Sequence, residues 1–336
     1  MTEKIVLDHG AGGGLSHELI ADTIAGTLGD VYVGEMEDSA SVDVETGRIA
    51  VTTDSFVVDP VFFGNGDIGK IAVAGTVNDL AVSGADPRYL TLAVILEEGF
   101  AVADFQRIVD SVRRTAEQAG VKIVAGDTKV VRRGEADGIF LNTTGVGLLT
   151  RPYRLSSRSL REGDQVIVTG FLGDHSIHLL SLREGLGFEQ RVQSDCAVLN
   201  HAIADVLDAV GPEVRTIRDI TRGGLGTVLN EFAQGSARTI ELSATALPVR
   251  RETAMAAEML GVDPMYLANE GNLCIVVSPQ AAPAALAALR GHPETERAVI
   301  VGEVSGADDS RVYLTEPGGR RRTVDLLYGA QLPRLC

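Results

Sequence analysis

Hydrophobic positions along this chain switch between a period of two and a helical period, and the switching predicts its elements. Alternating, β-branched runs predict strands at 31–36 and 49–58, after a helix over 16–28 with Ser16 as its N-cap. Segment 68–83 reads as an Ala/Val-rich helix and 89–96 as a strand. An amphipathic helix follows at 103–119, with Asp104 near its start and Gly120 at its C′ position. Strands at 121–125 and 140–149 close the first half, and the polar run Arg151-Pro152-Tyr153-Arg154-Leu155-Ser156-Ser157 marks a boundary. The rhythm then resumes: a strand at 165–169, helices at 175–185 and 196–210, and a helix from Gly223-Gly224 to about Gln234. A strand at 239–249, a helix at 250–260, a strand at 273–277 and a helix at 280–289 come next. Strands at 298–304, 311–315 and 321–327 complete the pattern. The reading is an α/β protein of two domains, 1–155 and 156–322, with a tail over 323–336.

Composition narrows the function classes. A length of 336 residues suits two ordinary domains, and 45% hydrophobic with 23% charged residues suits packed globules. Aromatics are only 4% and tryptophan is absent, so the cores fall to Val, Ile, Leu and Ala. A net charge of −16 argues against a nucleic-acid partner and fits a protein that gathers carboxylates around divalent cations. The three cysteines, at 196, 274 and 336, form neither a disulfide framework nor a zinc site. Cys196 and Cys274 sit in apolar runs and read as core residues. With no signal peptide and no apolar run long enough for a membrane span, the expected compartment is the reducing cytoplasm.

Candidate chemistry lies at the ends of these elements. Asp8-His9-Gly10-Ala11-Gly12-Gly13-Gly14 opens onto a helix N-terminus, as a phosphate cradle does, although Leu15 breaks the dinucleotide fingerprint. Gly64-Asn65-Gly66-Asp67-Ile68-Gly69-Lys70 imitates a P-loop, but Ile71 stands where a magnesium-binding hydroxyl belongs. Asn78 and Asp79 are polar within an apolar helix, and Gly126-Asp127-Thr128-Lys129 is expected at the carboxyl end of a strand, where metal and phosphate can be held together. His175 and His178 share a helix face without a third ligand, which suits a structural role. Arg218-Asp219-Ile220-Thr221-Arg222-Gly223-Gly224 places acid, base and glycines at another helix start. Asp38, Asp54, Asp79, Asp127 and Asp219 would repel one another at a single site unless cations stood between them. The last residue, Cys336, follows Gly329 and Pro333 on an arm that reaches roughly 20 Å if extended.

Taken together, Asp-His-Gly-Ala-Gly-Gly, Thr-Asp-Ser, Gly-Thr-Val-Asn-Asp-Leu-Ala, Gly-Asp-Thr-Lys, Asp-Ile-Thr-Arg-Gly-Gly-Leu and Asn-Glu-Gly resemble the superfamily of aminoimidazole ribonucleotide synthetase, selenophosphate synthetase and thiamin-monophosphate kinase. The terminal Pro-Arg-Leu-Cys is similar to one branch, the HypE family of hydrogenase-maturation carbamoyl dehydratases. The resemblance runs from Asp8 to Cys336. It implies a PurM-like fold, with N-terminal sheets of two subunits closing a β-barrel in a homodimer and ATP in the domain cleft. It further implies that the carbamoyltransferase HypF loads the terminal cysteine. ATP then drives dehydration to a thiocyanate, and the cyano group passes to a HypC–HypD complex. On that pattern the five aspartates would hold Mg2+ and Lys129 would stabilise phosphate. Glu270 would be the base, its pKa raised in a water-excluded cleft. The loop Gly10, Ala11, Gly12 and Gly13, together with Asn78, Thr128 and Gly223, would contact nucleotide. Residues 1–37 lack the cysteine a selenophosphate synthetase would carry, and neither other enzyme uses a terminal thiol. A nucleotide-sensing scaffold is the non-enzymatic alternative, and carbamoylation-dependent ATP turnover separates the two.

Overall fold

Residues 4–5, 19–31, 47–306 and 309–326 are described by the computed structural model, and they gather into two units. Of the described residues, the first contains 4–5, 19–31, 47–80 and 85–150, the second 81–84, 151–306 and 309–326. Gly10, Ala11, Gly12, Gly13, Asp38 and Cys336, together with the strand expected at 32–36, lie outside the described residues.

In the first unit, strands β1 (Arg48–Phe56), β2 (Asp86–Glu97), β3 (Lys122–Val131) and β4 (Ile139–Leu149) form a sheet in the order β1-β4-β2-β3. Only β2 and β3 run parallel, joined by helix α2 (Val102–Ala119) as a crossover. Helix α1 (Ile68–Val82) is apolar on nearly every side, which is why it can only exist buried. It lies on one face of the sheet, with the Thr143 hydroxyl reaching Ala72 O at 3.2 Å. The apparent P-loop is its cap. Asp67 Oδ1 accepts from Gly69 N–H at 2.8 Å and from Lys70 N–H at 3.0 Å, satisfying the first amides of the helix. Glycine at 69 lets α1 and α2 touch, since a Cβ there would stand 2.5 Å from Ile108 O.

Two boundaries differ from the sequence reading here. Residues 19–31 are helical throughout, so Val31 ends a helical turn and does not begin a strand. β3 runs on through Gly126-Asp127-Thr128-Lys129, which therefore lies inside the strand. Among the described residues β3 is an edge strand bonded only to β2, so its acid and base stay in solvent and do not break the ladder.

The second unit is a seven-stranded sheet in the order β11-β10-β7-β9-β5-β8-β6. Its strands are β5 (Gln165–Val168), β6 (Val214–Asp219), β7 (Thr239–Ser243), β8 (Leu273–Val277), β9 (Val299–Ser305), β10 (Val312–Thr315) and β11 (Arg321–Val324). Helices α3 (Asp174–Glu184), α4 (Asn200–Val210), α5 (Gly224–Ser236), α6 (Arg251–Leu260) and α7 (Ala282–Leu289) complete it. β5 and β8 are covered on both faces, which explains their unbroken apolar sequence. Val166 and Val168 join a core with Phe232 of α5, while Ile167 joins Ile203 and Leu207 of α4 on the other face. Cys196 and Cys274 are both buried, as expected of core residues.

Helix α4 begins at Asn200, four residues later than 196, because the preceding segment is bound elsewhere: Cys196 N–H to Ser194 Oγ and Ala197 N–H to Glu270 O. β7 stops at Ser243, with a 3-10 turn at Ala244–Ala246 before Pro248.

Candidate functional site

Within the second unit, antiparallel pairing sets the carboxyl ends of β5 and β6 beside the amino end of β8: Val168 faces Cys274 and Asp219 faces Leu273. Three loops therefore leave the sheet together. Gly170–Gly173 opens α3, Thr221-Arg222-Gly223 opens α5, and 268–272 enters β8. Asn272 binds the first, its Oδ1 accepting from Thr169 N–H (3.2 Å), Thr169 Oγ1 (2.9 Å) and Gly170 N–H (2.9 Å) while Nδ2 donates to Phe171 O (3.1 Å). Asn269 binds both: Oδ1 accepts from Gly173 N–H at 2.9 Å, and Nδ2 donates to Ile220 O at 3.1 Å. Between these two amides stands Glu270, only 6% exposed. The loops thus locate a buried carboxylate beside a helix start. Sequence reading had Glu270 but missed the asparagines, although Asn-Glu-Gly-Asn ahead of an apolar strand was their visible signal.

Gly223 and Gly224, with φ of +80° and +60°, turn the chain into α5. A Cβ on Gly224 would lie 2.5 Å from Met265 O, so only glycine fits. Gly224 N–H is bonded to Thr221 O at 3.0 Å, and the dipole of such a helix start favours an anion. Asp219, half-buried at the end of β6, precedes this turn. His175 and His178 are structural: their Nδ1 atoms bond Ser194 Oγ and Val192 O, each at 2.8 Å.

In the first unit, Thr52 and Asp54 share the face of β1 that meets α1. Thr76 Oγ1 donates to Asp54 Oδ2 at 2.8 Å and Thr52 Oγ1 to Asp79 Oδ2 at 3.1 Å, while Asn78 is buried beside them. A strand-borne aspartate is thereby compensated. Asp127 and Lys129 pair with each other at 2.9 Å, both 63% exposed, and lie opposite Ala93 and Ile95 on the sheet face away from α1. Asp54 and Asp127 occupy the two edge strands, three strand spacings or about 14 Å apart. Within one protomer the structure brings Asp54 and Asp79 together and leaves Asp127 apart. The oxygen-only set of Asp54, Asp79 and threonine hydroxyls suits a hard divalent cation, although among the described residues no three acidic, histidine or cysteine groups converge.

One strongly shifted group went unread in the sequence. Asp195 Oδ1 accepts from Glu270 N–H at 2.9 Å, and Oδ2 is shut off from solvent without a partner, although the residue as a whole is half-buried. Burial chiefly, with the nearby Asp174 charge, pushes its carboxyl up to about 7, against amide hydrogen bonds that pull it down. The unfolded chain binds no proton there above the usual carboxylate range near 3.8, so stability falls as pH rises from about 4 to about 7. Asp195→Asn is expected to lose less stability than the parent across that window. Denaturant melts at pH 4.5 and 8 measure it, and parallel curves for the two proteins would contradict it.

Comparisons with known proteins follow the same division. The model of the AIR synthase related protein N-terminal domain matches residues 36–149, and that of its C-terminal domain matches 161–315. Carbamoyl dehydratase HypE of Azotobacter vinelandii is 45% identical over 333 residues, spanning 99% of this chain and 97% of its own. A crystal structure of hydrogenase maturation protein HypE in complex with ATP superposes with a TM-score of 0.94 at 42% identity, covering 98% of this chain and 99% of that one. The HypE–HypF complex structure gives 0.80 at 40% identity, covering 94% and 100%.

Proposed function

Because this chain belongs to the HypE family of carbamoyl dehydratases, among the AIR synthase related proteins, we propose that it uses ATP to dehydrate a carbamoyl group carried on the Cys336 thiol. The product is a thiocyanate, whose cyano group becomes a ligand of the [NiFe]-hydrogenase iron. The observation that carries this reading is the buried Glu270, wired between Asn269 and Asn272 beside a glycine-opened helix start.

An amide oxygen is a poor leaving group. Transfer of the γ-phosphoryl group of ATP to that oxygen, with loss of one N–H proton, gives an imidate phosphate and ADP. Loss of the second N–H proton expels phosphate and closes the C≡N bond. The protein must align the phosphoryl group, neutralise its charge and supply a base. Glu270 takes the N–H proton. Lys129 offers an exposed ammonium for phosphate, and the amides at Gly223 offer donors to an anion. Asp54 and Asp79 would hold magnesium, and Asp38 and Asp219 are proposed as magnesium ligands too, while Asp127, on the other face of the sheet, does not join Asp54 and Asp79 within one protomer. Magnesium, when bound, screens the phosphate charges during transfer. Asn78, Thr128 and the loop Gly10, Ala11, Gly12 and Gly13 would contact the nucleotide.

The partners follow from the same chemistry. A HypE relative has been seen with HypF, which supports HypF as the carbamoyl donor here, with a HypC–HypD complex as acceptor of the cyano group. Ile49, Val51 and Ile95 are exposed on the sheet face away from α1, which supports a homodimer built on that face. Domains at 1–155 and 156–322 and a cytoplasmic location complete the proposal, but the tail proposed at 323–336 can start only after β11 ends at the fully buried Val324.

Intact-mass spectrometry tests it. Incubation with carbamoyl phosphate, HypF and ATP is expected to add a carbamoyl group and then remove one water; an adduct that never loses water contradicts it. Asp79→Asn is expected to weaken nucleotide binding about tenfold in magnesium and little without it, a loss of about 1.4 kcal/mol. Calorimetry with and without the cation checks this, and equal affinities would take Asp79 out of the metal set.

A further inference from the structure

Glu270 is gripped from outside its own loop by a segment with no assigned part in the chemistry. Residues 194–199 form no helix, because their groups are committed. Ser194 Oγ meets His175 Nδ1 at 2.8 Å and accepts Cys196 N–H at 3.1 Å. Asp195 Oδ1 then takes the Glu270 N–H at 2.9 Å, and the Gly271 amide bonds the same carboxyl. Ala197 N–H reaches back to Glu270 O at 3.4 Å. Gly271 admits no side chain, since a Cβ there would stand 1.8 Å from Asp195 O. The backbone of Glu270 is therefore held on both sides by the same four-residue stretch.

We propose that Asp195 is a positioning residue for the dehydration, setting the angle at which the Glu270 carboxylate meets the carbamoyl N–H. The proposal rests on Glu270 being the base. A displacement of about 1 Å at a reacting group costs up to roughly a hundredfold in rate, so a fixed peptide here matters to turnover far more than to binding. Burial keeps the Asp195 carboxyl neutral up to about pH 7, so it grips the loop without setting a second negative charge beside Glu270. A neutral Oδ1 acceptor is what the grip requires, and asparagine supplies one of the same shape.

The test uses the full chain, carbamoyl-loaded by HypF, in single-turnover dehydration read by intact mass. Asp195→Ala is expected to lower the rate at saturating ATP at least tenfold while moving the half-saturating ATP concentration less than twofold. Asp195→Asn is expected to stay within threefold of the parent. Adding Asp195→Ala to Glu270→Gln is expected to cost nothing further, because a positioner acts only through the group it positions. Should Asp195→Ala not fold, Asp195→Ser, whose hydroxyl falls short of the Glu270 amide, carries the same expectations.

Three results overturn the proposal alone, with Glu270→Gln still slow: a parental rate for Asp195→Ala, multiplying losses in the double variant, or a loss in Asp195→Asn equal to that in Asp195→Ala. A parental rate for Glu270→Gln removes the base reading and the proposal with it, so the two failures are told apart.

Discussion

Alanine at Cys336 is expected to end carbamoyl loading altogether, with neither remaining cysteine able to take over. The loading reaction needs a thiolate that a partner enzyme can reach. Cys274 is fully buried in the sheet core, and burial pushes its thiol far above the ordinary range. Cys196 is 2% exposed, within the segment that holds Glu270. No adduct should appear by intact mass after incubation with carbamoyl phosphate, HypF and ATP, while ATP binding by calorimetry stays within twofold of the parent. A carbamoyl adduct mapped by peptide mass to Cys196 or Cys274 would defeat the expectation and move the chemistry into the core.

The same contrast between exposed and enclosed groups explains how the two carboxylate clusters differ. Asp127 and Lys129 form a solvated pair of the kind worth under about 1 kcal/mol, so neither is committed to the fold, leaving Asp127 available to a cation and Lys129 to a phosphate. Asp54 and Asp79 are partly buried and each accepts a threonine hydroxyl, so their geometry is set before any cation arrives. On the proposed reading, that preset pair would gain its remaining ligands only once nucleotide and cation are present. That matches an all-oxygen set too sparse, among the described residues, to hold a metal by itself.

Much of this was legible in the residues. The strand at 273–277 and the helices at 175–185 and 250–260 announced themselves because long apolar runs or strict periodicity admit few alternatives. Gly120 ended its helix as expected, in the left-handed conformation. Where reading failed, a long-range partner had overridden a local preference. Residues 196–199 look helical, yet their amides serve Ser194 and Glu270. Gly126 looks like a strand end, yet Leu92 O lies where its Cβ would be, and the ladder continues through it. Asp195 carried no local signal at all. Its importance arises from a contact across 75 positions, which no spacing rule can reach.

Glu270→Gln should slow dehydration by about 10²- to 10⁴-fold, the usual range for losing a positioned base. Glutamine keeps the length and shape of the side chain. The backbone contacts that define the loop, Glu270 N–H to Asp195 and Glu270 O from Ala197, do not involve the carboxylate. Asn269 and Asn272 therefore continue to tie the loop to Gly173 and Thr169, and the fold is expected to survive. What disappears is the acceptor for the N–H proton. Without it the amide oxygen is a weaker nucleophile toward phosphorus, and the second proton has no exit when phosphate departs. Carbamoyl loading and ATP affinity should stay within about twofold of the parent, and the loaded adduct should persist, one water heavier than the parent's product. Parental product formation would rule Glu270 out as the base. A parallel loss of ATP affinity would assign it to nucleotide or cation binding instead.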